Sequence, residues 1–427
     1  DFSLARFDER YTADLANLKY LLDAFAIVSR TNAFEILSEE LGYDVEERII
    51  EKMFKPSIDY VLSFPILNHN MEYNTWRGLI AMSKATGDPS YIHRAVELIE
   101  NYAQNYYLFD GFWKEVTLSY HNQSTNGLTT SINEAAGWTD PEGYVSPRTG
   151  RTFERLDLSR TFPAFSAARS MGHLVSYPNG SYVAMQDTWA NERSTTPMTA
   201  RGSFLLPASG IARLAPGATS GDVKQTQVYL MFTPKYGHNH YDPLNITLFA
   251  ENQELLPDIG YTHTFFRRWT TSTLGHNTVV VDAKDMSAGG EGAHGGRIEA
   301  LIATDETVKI TKASHPAAYP GTDEYSRELW LVRFGGKSGE SYVVDLFRVI
   351  GGNRHEYTLG GDANRDAAFV TPLETEYYNE YLLPPGTPVQ MPASENETGS
   401  AGGHYYGYIY IQDVERAAVP DGKVELT

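Results

Sequence analysis

The hydrophobic period changes once along this chain, from helical spacing to strand spacing, and that change orders the architecture. Leu15, Leu18, Leu22 and Phe25 recur at helical intervals, and the run ends in polar Ser29-Arg30-Thr31-Asn32. A short helix is predicted over Ala33–Leu41, closed by Gly42. Another follows with Val45, Ile49 and Met53 on one face, kinked or interrupted at Pro56. The stretch Glu72–Thr86 stops at Gly87-Asp88-Pro89, a strong helix-end signal. Ile92, Ala95, Val96, Ile99 and Ala103 then mark one more amphipathic helix. Helix following helix through short turns predicts stacked helical hairpins.

The period weakens from Gly127 to Thr196, where long loops and one helix near Ala164–Met171 are expected. From about Gly202 it becomes two, or short apolar runs. Val228–Phe232, Val279–Val281, Leu329–Val332 and Tyr342–Phe347 read as strands, separated by turns such as Gly351-Gly352-Asn353. Many strands without intervening helices predict a large antiparallel sandwich. Leu383–Gly403 is expected as a surface loop before final strands near Tyr405–Ile411. The expected organisation is a helical domain over residues 1–195 and an antiparallel β-sandwich domain with a metal site over 196–427.

Two compositional facts narrow the chemistry. The chain has no cysteine, which excludes disulfides, thiolate metal sites and a cysteine nucleophile. Its net charge of −19 argues against nucleic acid as a partner. No apolar run is long enough to span a membrane. The chain opens at Asp1 with no signal peptide visible, as a processed secreted or periplasmic protein or a trimmed chain would.

Three clusters carry candidate chemistry. The first is His238, His240, Asp258 and His276, spread over three strand-like segments. On an extended segment His238 and His240 would point to one face. A lone histidine is more often a satisfied core residue, but four such groups on successive strands favour a divalent metal held by nitrogen and oxygen. The second is Leu67-Asn68-His69-Asn70-Met71-Glu72-Tyr73, where a loop enters the helix expected from Glu72. Asn68 or Asn70 as N-cap would leave free N–H groups facing a carboxylate ligand, although an ordinary capped helix start explains the same residues. The third is Ser119-Tyr120-His121-Asn122 in a polar loop.

Taken together and in order, these motifs resemble the heparinase II/III-like polysaccharide lyases, most closely the alginate lyases among them. The resemblance rests on L-N-H-N-M-E-Y, S-Y-H-N, H-N-H-Y-D-P-L, L-L-P-D-I-G, H-N-T-V-V-V-D and, at Tyr342–His355, Y-V-V-D-L-F-R-V-I-G-G-N-R-H. It implies an (α/α) toroid followed by an antiparallel β-sandwich. The helical part is shorter than that toroid, so it is expected to be incomplete at its N-terminus. By the same resemblance Asn68 and His69 would neutralise a substrate carboxylate. Tyr120 would be the catalytic tyrosine, and His238 the second-domain histidine of the active site. His240, Asp258 and His276 would hold a structural ion: zinc by donor type, with manganese or calcium as alternatives. Glu72, Tyr73, Arg77, Lys114, His121, Arg267 and Arg268 would contact substrate.

The implied activity is β-elimination on an anionic polysaccharide: loss of the C5 proton of a uronate, then expulsion of the 4-linked sugar. Neutralising the carboxylate makes that C–H acidic enough to transfer. Tyr120 or His238 would be the base, and Tyr120 would need its pKa lowered by neighbouring cations to act as one. Arg77, Lys114, Lys235, Arg267 and Arg268 are expected to offset the overall negative charge locally. Alginate is the favoured polymer, with heparan sulfate, hyaluronate or ulvan as alternatives. A zinc-dependent hydrolase and a non-catalytic polysaccharide-binding protein are the competing classes.

Overall fold

The computed structural model describes residues 15–160, 162–194, 202–217, 224–232, 237–287, 295–334, 340–362, 370–419 and 422–424. The chain divides into two compact units, Asp1–Trp113 with His121–Arg169, and Lys114–Tyr120 with Ser170–Thr427. The boundary expected at 195/196 falls among residues outside the described ones. The order is nevertheless as the periodicity predicts, with helices first and antiparallel sheets second.

In the first unit, helices span Leu15–Val28, Ala33–Leu41, Tyr73–Thr86 and Pro89–Asn105. Trp76, Leu79, Ile80 and Met82 are buried on one helix, and Ile92, Val96, Ile99 and Tyr102 on the next. Gly87 ends the former at φ 73°, a left-handed conformation that favours glycine. Asp88 caps the latter by accepting from the Ser90 N–H, with Pro89 in the first turn. At Pro56 the expected interruption takes another form. A five-residue π segment, Ile50–Phe54, joins helices Val45–Ile49 and Lys55–Leu62 without a break. The wider turn there accommodates the missing proline N–H. The cap expected from Asn68 or Asn70 is corrected: this helix starts at Tyr73, and its N-cap position is Glu72, without a side-chain cap bond. Residues 70–72 form a turn first, which carries both asparagines out of capping range.

In the second unit, strands β1 (Phe204–Leu206), β2 (Ile211–Leu214), β3 (Gln227–Met231), β4 (Asn245–Ala250) and β5 (Gln253–Leu256) form one antiparallel sheet in that order. Strand β6 (Val279–Val281) pairs with β11 (His355–Tyr357). Strands β7 (Arg297–Ile302), β8 (Val308–Ser314), β9 (Thr322–Arg333) and β10 (Ser341–Gly351) form a second antiparallel sheet. Leu214, Val228, Leu230 and Ile246 of the first sheet share one buried core with Tyr325, Leu329 and Leu331 of the second. Strands β12 (Glu376–Tyr381) and β13 (Gln412–Arg416) pair beside a smaller apolar cluster.

The strand expected at Tyr405–Ile411 is a 3-10 helix over Tyr406–Tyr410, and β13 follows it. The hydroxyls of the adjacent Tyr405 and Tyr406 both bond Asp285. Neighbouring side chains on a strand point to opposite faces, so that shared partner requires a tighter turn.

Candidate active site and metal centre

Strand β5 ends two residues before Asp258, and a 3-10 turn, Thr273–Gly275, delivers His276 just ahead of β6. With His240 these residues form a buried group whose ligand atoms all lie within 4.8 Å of one another. The tight approach of the Asp258 loop to Ala184 and Thr188 requires Gly260. That residue has φ 68°, and a Cβ there would sit 2.3 Å from the Thr188 carbonyl oxygen.

The hydrogen bonds fix which ring nitrogens are free. His276 Nδ1 lies 2.6 Å from the Ser272 carbonyl, so it carries the proton and leaves Nε2 bare. His240 Nε2 lies 3.0 Å from Asp187 Oδ1, so it donates there and leaves Nδ1 bare. The two bare nitrogens face each other at 3.2 Å. The Asp258 carboxylate stands 3.7 Å from His276 Nε2 and is oriented by the Gly260 N–H and the Asn245 amide. Burial pushes the Asp258 carboxyl up from its ordinary value, against the pull of His276 and His240. Two opposed lone pairs and a buried carboxylate form a donor set suited to a divalent cation, so the residues fit the expected ion.

Asp187, which the sequence did not single out, links this triad to His238. Its Oδ2 accepts from His238 Nδ1 at 2.9 Å while Oδ1 accepts from His240. Arg267 clamps both oxygens, at 2.5 and 2.9 Å. Burial opposes ionisation of Asp187, but the bonds from His238 and His240 and the Arg267 charge prevail. They hold the carboxyl well below the usual carboxylate range. The extended geometry expected for His238 and His240 is corrected as well. His238 has φ 53°, in the left-handed region, so the two histidines meet at one carboxylate rather than on one strand face.

Tyr120 belongs to the same unit, and the polar loop expected around it is corrected: Ser119–Asn122 lie at the start of the helix Leu118–Ala135. Its segment is anchored where the Leu118 N–H donates to Thr188 and the Trp189 N–H donates to Ser119. The Tyr120 ring stacks on His238, and its hydroxyl donates to the Tyr261 hydroxyl at 3.1 Å. Arg267 lies over the Tyr261 ring. The lowered pKa that Tyr120 would need to act as the base is not found. Burial, the bond to Tyr261 and nearby Asp187 push the phenol well above its ordinary value.

The other expected site residues occupy varied settings. In the helical unit, Asn68 has φ 53°; its amide donates to Tyr106 and accepts from Asn101. His69 is half-buried, and its ring accepts from the Met71 N–H. Glu72 is buried and accepts from Thr75, and the Tyr73 ring fills the space a side chain at Gly127 would need. Arg77 is paired through both Nε and Nη2 with Glu134. His121 is buried, accepts from the Trp113 N–H and donates to the Ala168 carbonyl. Burial lowers its pKa to about 4, so the ring is neutral and holds two backbone segments. In the second unit Lys114 is half-buried, and Arg268 lies beside Tyr406 and Tyr410. Lys235 lies outside the described residues.

Residues 198–357 match the family model described as heparinase II/III-like, C-terminal. The chain is 24% identical over 414 residues to an alginate lyase of Stenotrophomonas maltophilia (strain K279a), covering 79% of this chain and 54% of that protein. Among solved structures, a heparan sulfate lyase, HepC, from Pedobacter heparinus aligns with TM-score 0.53 at 15% identity, covering 81% of this chain and 58% of that one. Heparinase III aligns with TM-score 0.52 at 15% identity, covering 70% and 50%. The chain thus spans about half the length of these relatives. A helical region followed by antiparallel sheets is the layout it shares with them. On the family match, residues 198–357 belong to the heparinase II/III-like C-terminal family, and the order of helices and sheets is the fold shared with these solved structures.

Proposed function

We propose that the protein is a polysaccharide lyase that cleaves a uronate-containing polymer by β-elimination. The observation that carries this reading is the stack of Tyr120 on His238, with His238 Nδ1 held by Asp187. In the neutral ring that bond leaves His238 Nε2 with a lone pair, the form a general base needs. The phenol of Tyr120, pushed upward, keeps its proton and suits the acid. In the reaction His238 Nε2 takes the C5 proton and the C5–H electrons form the C4–C5 double bond. The C4–O bond breaks, and Tyr120 protonates the leaving oxygen. Asn68 and His69 are proposed to neutralise the uronate carboxylate, worth several kcal/mol on the order of an oxyanion site.

Zinc is the first ion to expect on His240, Asp258 and His276, given two imidazoles and a carboxylate. Its contribution would be to pin the segments that carry these ligands. The helical unit is proposed to be part of an (α/α) toroid and the sheets a β-sandwich, in a secreted or periplasmic enzyme. Among polymers we favour alginate, because sulfated chains call for more Arg and Lys than a net charge of −19 offers. Heparan sulfate is the second reading, supported by the likeness to the Pedobacter lyase.

A metal-dependent hydrolase is the competing class, favoured by the donor set itself. Burial of all three donors speaks against it, since a catalytic ion keeps a position open to water and substrate. Incubation with alginate, heparan sulfate, hyaluronate and ulvan tests the proposal. A lyase raises the near-ultraviolet absorbance of an unsaturated uronate, and silence with every polymer would sink it.

A further inference from the structure

The metal triad and the His238–Tyr120 pair look like two separate devices, yet one carboxylate serves both. Asp187 Oδ1 faces His240 Nε2 at 3.0 Å and Oδ2 faces His238 Nδ1 at 2.9 Å. An ionised carboxylate only accepts, so each facing nitrogen must carry a proton. In its neutral form each histidine is then bare on its opposite nitrogen. On His240 that is Nδ1, which points at His276 Nε2 in the metal centre. On His238 it is Nε2, the nitrogen assigned as base above.

The carboxylate has little freedom to do otherwise. Its side chain is 1% exposed. Its backbone N–H donates to the His238 carbonyl, and its carbonyl accepts from Thr117. Gln186 next to it, at φ 53°, accepts from the His240 N–H through its amide oxygen and donates to Asp242 through its amide nitrogen. Arg267 holds both carboxylate oxygens from a third side.

We propose that Asp187 is a positioning residue that couples the metal centre to the base, selecting the metal-binding tautomer of His240 and the proton-accepting tautomer of His238 together. The proposal rests on the reading of His238 as the base. A carboxamide cannot replace the carboxylate: one end would accept and the other donate, so one of the two histidines would have to change tautomer. Arg267 would also face an amide N–H where it now faces an acceptor.

The test is nitrogen NMR of histidine-labelled, zinc-loaded protein without substrate, with the His238 signal assigned from a His238→Gln spectrum. In the wild type His238 is expected to carry its proton on Nδ1, with Nε2 bare. In Asp187→Asn that proton is expected on Nε2 with zinc retained. The same variant is expected to lose about 10- to 100-fold in kcat, with KM within about twofold. Loss of zinc from Asp187→Asn, measured by atomic absorption, would place the change on His240 and support the same coupling. Wild-type His238 protonated on Nε2 would overturn the proposal without any variant. So would Asp187→Asn that keeps zinc, the Nδ1 proton and wild-type kcat. Because the spectra need no turnover, a protein without lyase activity would sink the reaction reading and leave this test standing.

Discussion

The ring of Tyr120 lies on the ring of His238, centroids 3.7 Å apart and planes 22° from parallel. The stack sets a proton donor against a proton acceptor, and it needs only the aromatic ring of Tyr120, not its hydroxyl. Tyr120→Phe should therefore keep the stack and polymer binding while kcat falls about 10²- to 10⁴-fold, the range of a lost acid or base. The lost bond to Tyr261 should lower stability by only about 1 kcal/mol. Steady-state kinetics with a thermal melt separate the two effects. A non-catalytic binding protein would have no turnover to lose.

Burial raises several tyrosines above the ordinary value of 10.0, among them Tyr177, Tyr319, Tyr325 and Tyr405. A raised acid holds its proton more tightly folded than unfolded. The stability it contributes is thus complete below the unfolded pKa and lost as pH rises through the folded one. Melting temperature should fall steadily once pH passes about 10, the unfolded tyrosine value. A flat profile across that window would show that these phenols are not buried.

Removal of the ion should leave the bare nitrogens of His240 and His276 opposed at 3.2 Å, beside a buried Asp258. Chelation should lower the melting temperature by several degrees, reversibly on adding zinc. His276→Ala should reproduce the loss and no longer respond to zinc. Under the lyase reading, whatever activity survives chelation still yields unsaturated products.

Arg327 is fully buried, pairs with Asp345 and donates to the carbonyls of Leu244 and Asn277. Arg327→Ala would strand the Asp345 charge and two carbonyls, at about 3–5 kcal/mol in stability. Arg327→Leu combined with Asp345→Leu should recover part of that loss in a denaturant titration, because no charge is then left unpaired.

What was legible in the sequence was what local chemistry dictates. Gly42 ends its helix as expected, and Gly87-Asp88-Pro89 separates two helices through a left-handed glycine and an aspartate cap. His240, Asp258 and His276 stood out because their residue types are uncommon on apolar strands, and they do converge. Asp187 was not legible: it lies in a stretch without period, and its partners His238 and Arg267 are 51 and 80 residues away. The only local signal was Gln186-Asp187 placed between apolar Tyr182–Met185 and Thr188-Trp189. The left-handed turn at His238 likewise serves a long-range partner, Asp187, which a spacing pattern does not encode.

The central claim is that this site eliminates rather than hydrolyses, and turnover in oxygen-labelled water tests it most directly. The account predicts products that are one water lighter than hydrolysis products, carry no label, and disappear with Tyr120→Phe. Saturated products bearing one labelled oxygen per cleaved bond would contradict it.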